Sequence, residues 1–186
     1  MVLIDKRNGK TFLIKDRFGK KPLYFIKKNN TIYFASEIKA IKKLINLEVS
    51  QENLHINMAC HLLPPPLSLY KNVNSVMPAS FLEINHESFI REKRWYFPKF
   101  SNINKFCEDD FINLFQDSIK IRTRSDVPLS IYLSGGLDSM LITEFVRKNK
   151  KDIAPLTANI QNKGKWDNNN TDVINQTKYC KQFNLE

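Results

Sequence analysis

The segment 129–148 constrains the fold most, because an apolar strand runs through a glycine turn directly into an amphipathic helix. Leu129–Leu133 is a short apolar run, which predicts a buried strand. Gly135 and Gly136 follow it, and two glycines allow a tight turn that exposes consecutive backbone N–H groups. Leu137–Lys148 carries apolar residues at i, i+4 spacing, which predicts a helix. A strand, a loop and a helix in this order favour a parallel α/β unit.

The side chains of this loop favour an anionic ligand. Ser134 and Ser139 offer hydroxyl donors beside the loop amides and the N-terminus of the helix. Asp138 would repel a bare phosphate, so its presence indicates a Mg²⁺ ligand. The spacing is neither Gly-x-x-x-x-Gly-Lys-Ser/Thr nor Gly-x-Gly-x-x-Gly, which disfavours kinase-like and dinucleotide-binding folds. The alternative is a plain glycine turn with Asp138 as N-cap, but six specified positions between a strand and a helix favour the binding loop.

The N-terminal part of the chain has the character of β structure. Short runs rich in aromatic and β-branched residues predict strands. Asn8-Gly9 is a strong hairpin signal, and Asn29-Asn30 is a weaker one. The predicted strands are Thr11–Lys15, Pro22–Lys27, Thr31–Ala35 and, later in the chain, Ser80–Ile84.

Two helices are predicted between these strands. Ser36 fits a helix N-cap, because apolar residues at helical spacing follow it. Ser50 likewise precedes a predicted helix that runs to about Leu62. Pro64–Pro66 stops any helix, so most of the stretch from there to Trp95 is expected to be irregular.

From residue 106 the pattern alternates between helices and strands. The apolar stripe from Phe111 to Ile119 predicts a helix. After the glycine loop, a strand is predicted at Pro155–Ile160 and a helix at Thr171–Gln182. The Asn-rich residues 98–105 have the composition of a linker. The chain therefore divides into an α+β part, residues 1–97, and an α/β part with a parallel sheet, residues 106–186.

Composition limits the classes of function. Lys and Arg number 29 against 19 Asp and Glu, and the net charge of +10 could indicate a nucleic-acid surface. Only 7 of these cations are Arg and the 22 Lys are spread along the chain, so nucleic acid is not an expected partner. No apolar run approaches the roughly 18 residues of a membrane span, and the N-terminus does not resemble a signal peptide. The 3 cysteines are widely spaced and predict neither disulfides nor a zinc site, so we expect a cytoplasmic protein.

Several motifs resemble one known family. Ser134-Gly-Gly-Leu-Asp-Ser139 resembles the pyrophosphate loop of the N-type ATP pyrophosphatases. Arg124–Pro128, just before it, resembles the approach to this loop in glutamine-hydrolysing asparagine synthetases. Lys15–Phe25 and Phe34–Ala40 are similar to two blocks of the glutaminase domain of that family, and Leu63–Leu82 resembles the tail of the same domain. The resemblance runs through the whole chain in collinear order.

The resemblance implies a fold and a set of ligands. Residues 1–97 would be the C-terminal part of an antiparallel, N-terminal-nucleophile-type glutaminase sheet, and residues 106–186 the start of a parallel ATP pyrophosphatase domain. In the family, the side-chain carboxylate of aspartate attacks the α-phosphate of ATP·Mg²⁺, which gives β-aspartyl-AMP and pyrophosphate. Ammonia released from glutamine then displaces AMP. The residues that would bind ATP are Leu133, Ser134, Gly135, Gly136, Asp138, Ser139 and Ala158, and Asp138 would also bind Mg²⁺.

The chain departs from the family pattern at single positions. Met140 stands where a small residue usually follows the loop, Lys15 replaces an arginine, and Asn159 replaces a common glycine. Cys60 and His61 are adjacent, and neighbouring side chains usually point apart, so they are not expected to form a catalytic pair. No role is assigned to the remaining histidines, His55 and His86.

The family's glutaminase nucleophile is a cysteine at the mature N-terminus, whereas residue 2 of this chain is Val2. We therefore expect an internal fragment without catalytic residues of its own, which neither hydrolyses glutamine nor makes asparagine alone. Half a glutaminase sheet would expose strand edges, so marginal stability or aggregation is expected. Expected partners are the small-molecule substrates ATP, aspartate and glutamine, and either a second copy of the chain or the polypeptides that carry the missing halves.

Three other functions remain open at this level. The same architecture could amidate another carboxylate or act on a sugar acceptor. A tRNA-modifying ATP pyrophosphatase would use the positive charge, although 133 residues that resemble a glutaminase precede Ser134. A non-catalytic remnant would bind ATP weakly through Ser134–Ser139 without turnover.

Overall fold

A computed structural model of the chain describes residues 1–85, 90–99, 106–149, 154–156 and 171–182, the last helix with side chains from residue 174. The chain divides into two compact units, Met1–Ser101 and Asn102–Glu186. In the described ranges, no helix is long and apolar enough to cross a membrane.

Strands dominate the first unit. Within the described residues its elements, in chain order, are β1 (Val2–Asp5), β2 (Lys10–Ile14), β3 (Tyr24–Lys28), β4 (Thr31–Ala35), α1 (Ile38–Lys42), α2 (Gln51–Cys60), β5 (Asn74–Ser75), β6 (Ser80–Ile84) and β7 (Ile90–Arg94). Both predicted hairpin turns are confirmed. Gly9 between β1 and β2 has φ +61° and Asn29 between β3 and β4 has φ +54°, conformations that Gly and Asn adopt most readily.

The first sheet has the strand order β1-β2-β6-β7 and is antiparallel throughout. The alternation of side chains along β6 buries Leu82 on one face, where it packs with Leu13 of β2. On the outer side, Glu83 accepts a hydrogen bond from the Lys10 ammonium at 2.5 Å and lies 3.8 Å from that of Lys93. These cross-strand cations lower the pKa of Glu83, chiefly through the hydrogen bond from Lys10.

A second antiparallel sheet has the order β4-β3-β5. Ile26 of β3 packs with Ile41 of α1 and Val73, so the short helix α1 is held by its one buried side chain. Helix α2 begins after Ser50, whose hydroxyl accepts a hydrogen bond from Asn53 N, and ends at His61 in the left-handed conformation.

The second unit begins with the predicted helix and then forms a parallel sheet. Its elements are α3 (Glu108–Arg122), β8 (Ser130–Tyr132), α4 (Leu137–Asn149), β9 (Ala154–Leu156) and α5 (Thr171–Gln182). Strands β8 and β9 pair in parallel, as the alternating pattern predicts. Ile119 of α3 and Val146 of α4 form the buried centre of this unit, with Phe115 and Phe145 against them at a ring separation of 5.1 Å. The fold is thus mixed α/β, with antiparallel sheets followed by a small parallel one.

Two predictions about local structure are wrong. Ser36 is not an N-cap: helix α1 begins after Glu37, and no side chain caps it. The stretch before Trp95 is less irregular than expected, because β5 and β7 lie within it. Strand β7 reads Ile-Arg-Glu-Lys-Arg and is largely exposed at the edge of its sheet, so it lacks the apolar alternation that marks a half-buried strand. The later part of the strand predicted at Pro155–Ile160 lies outside the described residues.

Candidate functional site

The glycine loop joins the end of strand β8 to the first turn of helix α4. Leu133 directly follows β8 and is 2% exposed, and its N–H donates to Leu156 O at 2.8 Å. This hydrogen bond continues the parallel pairing of β8 with β9 by one step. The loop therefore leaves the sheet at the carboxyl ends of two parallel strands, where open α/β sheets commonly bind ligands.

Inside the loop, two serine hydroxyls accept hydrogen bonds from backbone N–H groups. Gly135 has φ +84° and is buried, a conformation that favours glycine. Ser139 Oγ accepts from Ser134 N at 3.2 Å, lies 2.9 Å from Ser134 Oγ and donates to Gly136 O at 2.9 Å. Gly136 N donates to Ser134 Oγ at 3.4 Å. Two backbone amides and two hydroxyls thus converge on one small volume beside the N-terminus of α4, an arrangement that can bind an anion.

Asp138 lies in the first turn of α4 and is exposed. An acidic side chain in that position interacts favourably with the positive end of the helix. Within the described ranges, no cluster of three or more His, Cys, Asp or Glu is able to hold a metal ion. A lone exposed carboxylate beside the glycine loop is still compatible with Mg²⁺, which proteins often bind through one or two carboxylates together with the phosphates of a substrate.

Residues of helix α4 fix the position of the loop. Thr143 is 1% exposed, and its hydroxyl donates to Ser139 O at 2.7 Å. Three residues further on, Val146 is 2% exposed and lies in the core against α3. Helix α5 also contacts α4, because Tyr179 Oη donates to Glu144 Oε2 at 3.3 Å. Burial is the main cause of the raised pKa of Tyr179.

The structure places most of the predicted ligand-binding residues together. Those that share the β8–α4 junction are Leu133, Ser134, Gly135, Gly136, Asp138 and Ser139. Ala158 and Asn159 lie outside the described residues. Sequence reasoning missed Thr143, although a hydroxyl residue four positions after Ser139 in a helix is the available signal, because it can reach the carbonyl one turn back.

In the first unit, Asp16 organises the turn that follows β2. Its carboxylate accepts hydrogen bonds from the backbone N–H groups of Phe18 at 3.2 Å, Lys20 at 3.0 Å and Lys21 at 2.9 Å. These bonds lower the pKa of Asp16, with those from Lys21 and Lys20 contributing most. Gly19, inside the turn, has φ +67°, and a Cβ there would lie 2.9 Å from Pro78 Cγ, so the position requires glycine.

Lys15, next to this turn, is a buried cation. It is 5% exposed, and its ammonium donates to Ser75 Oγ at 2.8 Å. The indole N–H of Trp95 donates to the carbonyl oxygen of Lys15 at 3.3 Å. Burial lowers the pKa of Lys15, because the charged form loses water. The cation at this position thus links β2 to β5 of the other sheet.

A hydroxyl-rich glycine loop between a parallel strand and a helix N-terminus is an arrangement able to bind an anion, as found in proteins of the α/β class. Comparison with known proteins identifies the group. Residues 1–96 match a family described as glutamine amidotransferase domain, and residues 110–185 match one described as asparagine synthase. The chain belongs to the glutamine-hydrolysing asparagine synthetase family.

Curated relatives agree with this assignment. The chain is 32% identical over 174 residues to a putative asparagine synthetase [glutamine-hydrolyzing] 2 of Methanocaldococcus jannaschii, covering 89% of the chain and 34% of the relative. It is 30% identical over 156 residues to asparagine synthetase [glutamine-hydrolyzing] 1 of Bacillus subtilis, covering 81% of the chain and 24% of the relative. The chain therefore spans about a third or less of the length of these relatives.

Proposed function

We propose that this chain carries part of a glutamine-dependent asparagine synthetase that uses ATP. The reaction converts aspartate, glutamine and ATP into asparagine, glutamate, AMP and pyrophosphate through β-aspartyl-AMP. Residues 1–97 would belong to the glutamine amidotransferase domain, and residues 106–186, after a linker at 98–105, to the ATP pyrophosphatase domain. Family membership over both units supports this assignment.

The observation that carries the proposal is the convergence of donors in the loop. Ser134 N and Gly136 N point at the hydroxyls of Ser139 and Ser134, respectively, and these polar groups lie beside the N-terminus of a 13-residue helix. Pyrophosphate is an oxygen-rich anion, and such donors stabilise the negative charge that develops on it as a leaving group. Asp138 would hold Mg²⁺, which neutralises phosphate charge when bound.

The roles of the individual residues follow from their positions. Gly135 and Gly136 allow the phosphates to approach the backbone closely, and the serine hydroxyls would exchange their mutual hydrogen bonds for phosphate oxygens. Thr143 holds the carbonyl of Ser139 and so fixes the start of the helix. Leu133 and Ala158 would contact adenosine through their backbones, and Met140 would pack within α4.

The test is a calorimetric titration of the chain with Mg·ATP and with Mg·pyrophosphate. Asp138→Asn is expected to weaken both affinities at least about tenfold, which corresponds to the loss of about 1.4 kcal/mol of binding free energy. Asp117→Asn is the matched control, because Asp117 is an exposed aspartate of α3 in the same unit, outside the loop.

The control variant is expected to bind as the wild type does. Removal of Mg²⁺ by chelation should reduce the affinity of wild type for ATP more than that of Asp138→Asn, because only wild type retains the carboxylate. Equal affinities of all three proteins for Mg·ATP would contradict the proposed site.

A further inference from the structure

The glycine loop forms hydrogen bonds between its own polar groups. The amide of Ser134 donates to Ser139 Oγ at 3.2 Å, and the amide of Gly136 donates to Ser134 Oγ at 3.4 Å. The two hydroxyl oxygens lie 2.9 Å apart. Ser139 Oγ also donates to Gly136 O at 2.9 Å. Two amide hydrogens and both hydroxyl hydrogens are therefore engaged within the loop.

The number of hydrogens determines the direction of the bond between the two serines. A hydroxyl group carries one hydrogen and two acceptor lone pairs. Ser139 donates its hydrogen to Gly136 O, so the hydrogen between the two hydroxyls comes from Ser134. Ser139 Oγ then accepts two bonds, from the amide and from the hydroxyl of Ser134. These are the same two donors that the proposed function assigns to a phosphate oxygen.

The side chain of Ser139 can leave this position while its backbone stays in place. The buried hydroxyl of Thr143 donates to Ser139 O at 2.7 Å and holds the backbone. Rotation about χ1 alone moves Oγ to another staggered position. Gly136 O also accepts from Met140 N at 3.1 Å, so this carbonyl keeps a donor when the hydroxyl turns away. The rotation therefore leaves no carbonyl of the loop without a partner, which would be the costly outcome.

A phosphate oxygen is a stronger acceptor than the hydroxyl that it would replace. Hydrogen bonds to a charged oxygen are roughly twice as strong as those between neutral groups. The donors of Ser134 thus gain free energy when they exchange Ser139 Oγ for a charged oxygen. The gain is smaller than it would be for donors without an internal acceptor, because the bonds to Ser139 must first break.

We propose that Ser139 is an internal competitor of the anion at this loop and so determines how tightly the loop binds it. Its hydroxyl oxygen takes the position of one ligand oxygen, and pyrophosphate displaces it by rotating the side chain. The displaced hydroxyl then donates to the ligand. This inference rests on the proposed function of the loop and adds a residue that opposes binding as well as contributing to it.

The proposal predicts that removal of one site hydroxyl tightens binding. Ser139→Ala removes three hydrogen bonds from the loop itself but one bond to the bound ligand. The loop without ligand therefore loses more than the complex does. Calorimetric titration with Mg·pyrophosphate is expected to show about threefold tighter binding by Ser139→Ala than by wild type, the size of a fraction of one net hydrogen bond.

Ser134→Ala is the matched control, because it deletes the other hydroxyl of the same loop. It removes a donor to the ligand and, within the loop, the bond to Ser139 Oγ. The remaining contact, from Gly136 N at 3.4 Å, lies beyond the usual range of hydrogen-bond lengths and contributes little. This variant should bind Mg·pyrophosphate about threefold more weakly than wild type. Affinity of Ser139→Ala equal to or below that of wild type overturns the proposal.

The rotation itself can be measured in wild type without any substitution. Three-bond NMR couplings report χ1 of Ser139, and this angle is expected to change to another staggered rotamer as Mg·pyrophosphate saturates the chain. If pyrophosphate binds while χ1 stays constant, the competitor role is wrong and the proposed function stands. If wild type binds no pyrophosphate, the proposed function fails together with this inference.

Discussion

At the scale of single residues, the loop and the turn after β2 share one principle: a side chain replaces the backbone partners that a tight turn cannot supply. Ser139 does this for the amide of Ser134, and Asp16 does it for three amides of the segment 18–21. A neutral residue of the same size could not fully replace Asp16, because the backbone hydrogen bonds favour its charged carboxylate form and so lower its pKa.

The hydrogen bonds to Asp16 predict that the stability of the first unit depends on pH. Because the folded chain lowers the pKa of Asp16, the stabilising contribution is present above the unfolded value of 3.8 and is lost as the pH falls through the lower folded pKa. Urea unfolding, monitored by Trp95 fluorescence in a Trp166→Phe background, should show this loss in wild type as the pH falls below the unfolded pKa of 3.8. Asp16→Asn should lose less, because it has no such proton to bind.

The comparison needs a variant that preserves the rest of the titration. Asp117→Asn removes one exposed aspartate from α3 and should leave the pH dependence of the first unit as in wild type. Parallel pH profiles for wild type and Asp16→Asn would show that the charged form of Asp16 contributes no extra stability.

At the scale of elements, helix α2 shows how capping by a single serine determines where a helix begins. The Ser50 hydroxyl accepts from Asn53 N at 3.3 Å, and Asn53 Nδ2 donates to Ser68 O at 2.7 Å. None of the side chains of α2 is buried, so packing contributes little to this helix and the cap should contribute a large share.

Ser50→Ala should therefore lower the free energy of unfolding of the first unit by about 1 kcal/mol, the usual value for loss of an N-cap. Ser36→Ala is the matched control, because Ser36 precedes α1 but no side chain caps that helix. Urea unfolding of both variants measures the difference. A loss of equal size in the two variants would contradict the assignment of Ser50 as the stabilising cap.

The same two serines show how far local sequence determines these elements. Ser50 and the hairpin turns at Gly9 and Asn29 are set by local chemistry, and the sequence predicts them. Ser36 fails because α1 is a five-residue helix positioned by burial of Ile41 against β3, which a local pattern does not encode. Strand β7 fails for a related reason: its pairing with β6 comes from tertiary context, and its own residues are charged.

The sequence predicts the candidate loop better than it predicts the contacts that hold the loop in place. Glycine and serine spacing identifies the segment 133–139, because the conformational demands of the turn fall on those residues themselves. The contact from Thr143 to Ser139 depends on a helix forming first, and the hydrogen bond from Leu133 to Leu156 depends on which strands pair. Long-range pairing of this kind follows from the whole fold rather than from any one segment.

At the scale of the whole molecule, the two units have separate cores. Leu82 is 2% exposed and packs within the first unit, whereas Ile119 is 6% exposed and packs within the second. In the described residues, the buried clusters of the first unit and that of the second share no member. Separate cores favour separate cooperative unfolding.

Leu82→Ala and Ile119→Ala form a matched pair to test this independence. Each removes a large buried side chain and should cost about 2–5 kcal/mol in its own unit. Hydrogen exchange followed by mass spectrometry should therefore show faster exchange in peptides from β2 and β6 for Leu82→Ala, and in peptides from α3 and α4 for Ile119→Ala. If either substitution accelerates exchange equally in both units, the chain unfolds as one cooperative body. Affinity for Mg·ATP should follow the same division, because the candidate loop lies between β8 and α4. Ile119→Ala should weaken this affinity, and Leu82→Ala should leave it unchanged.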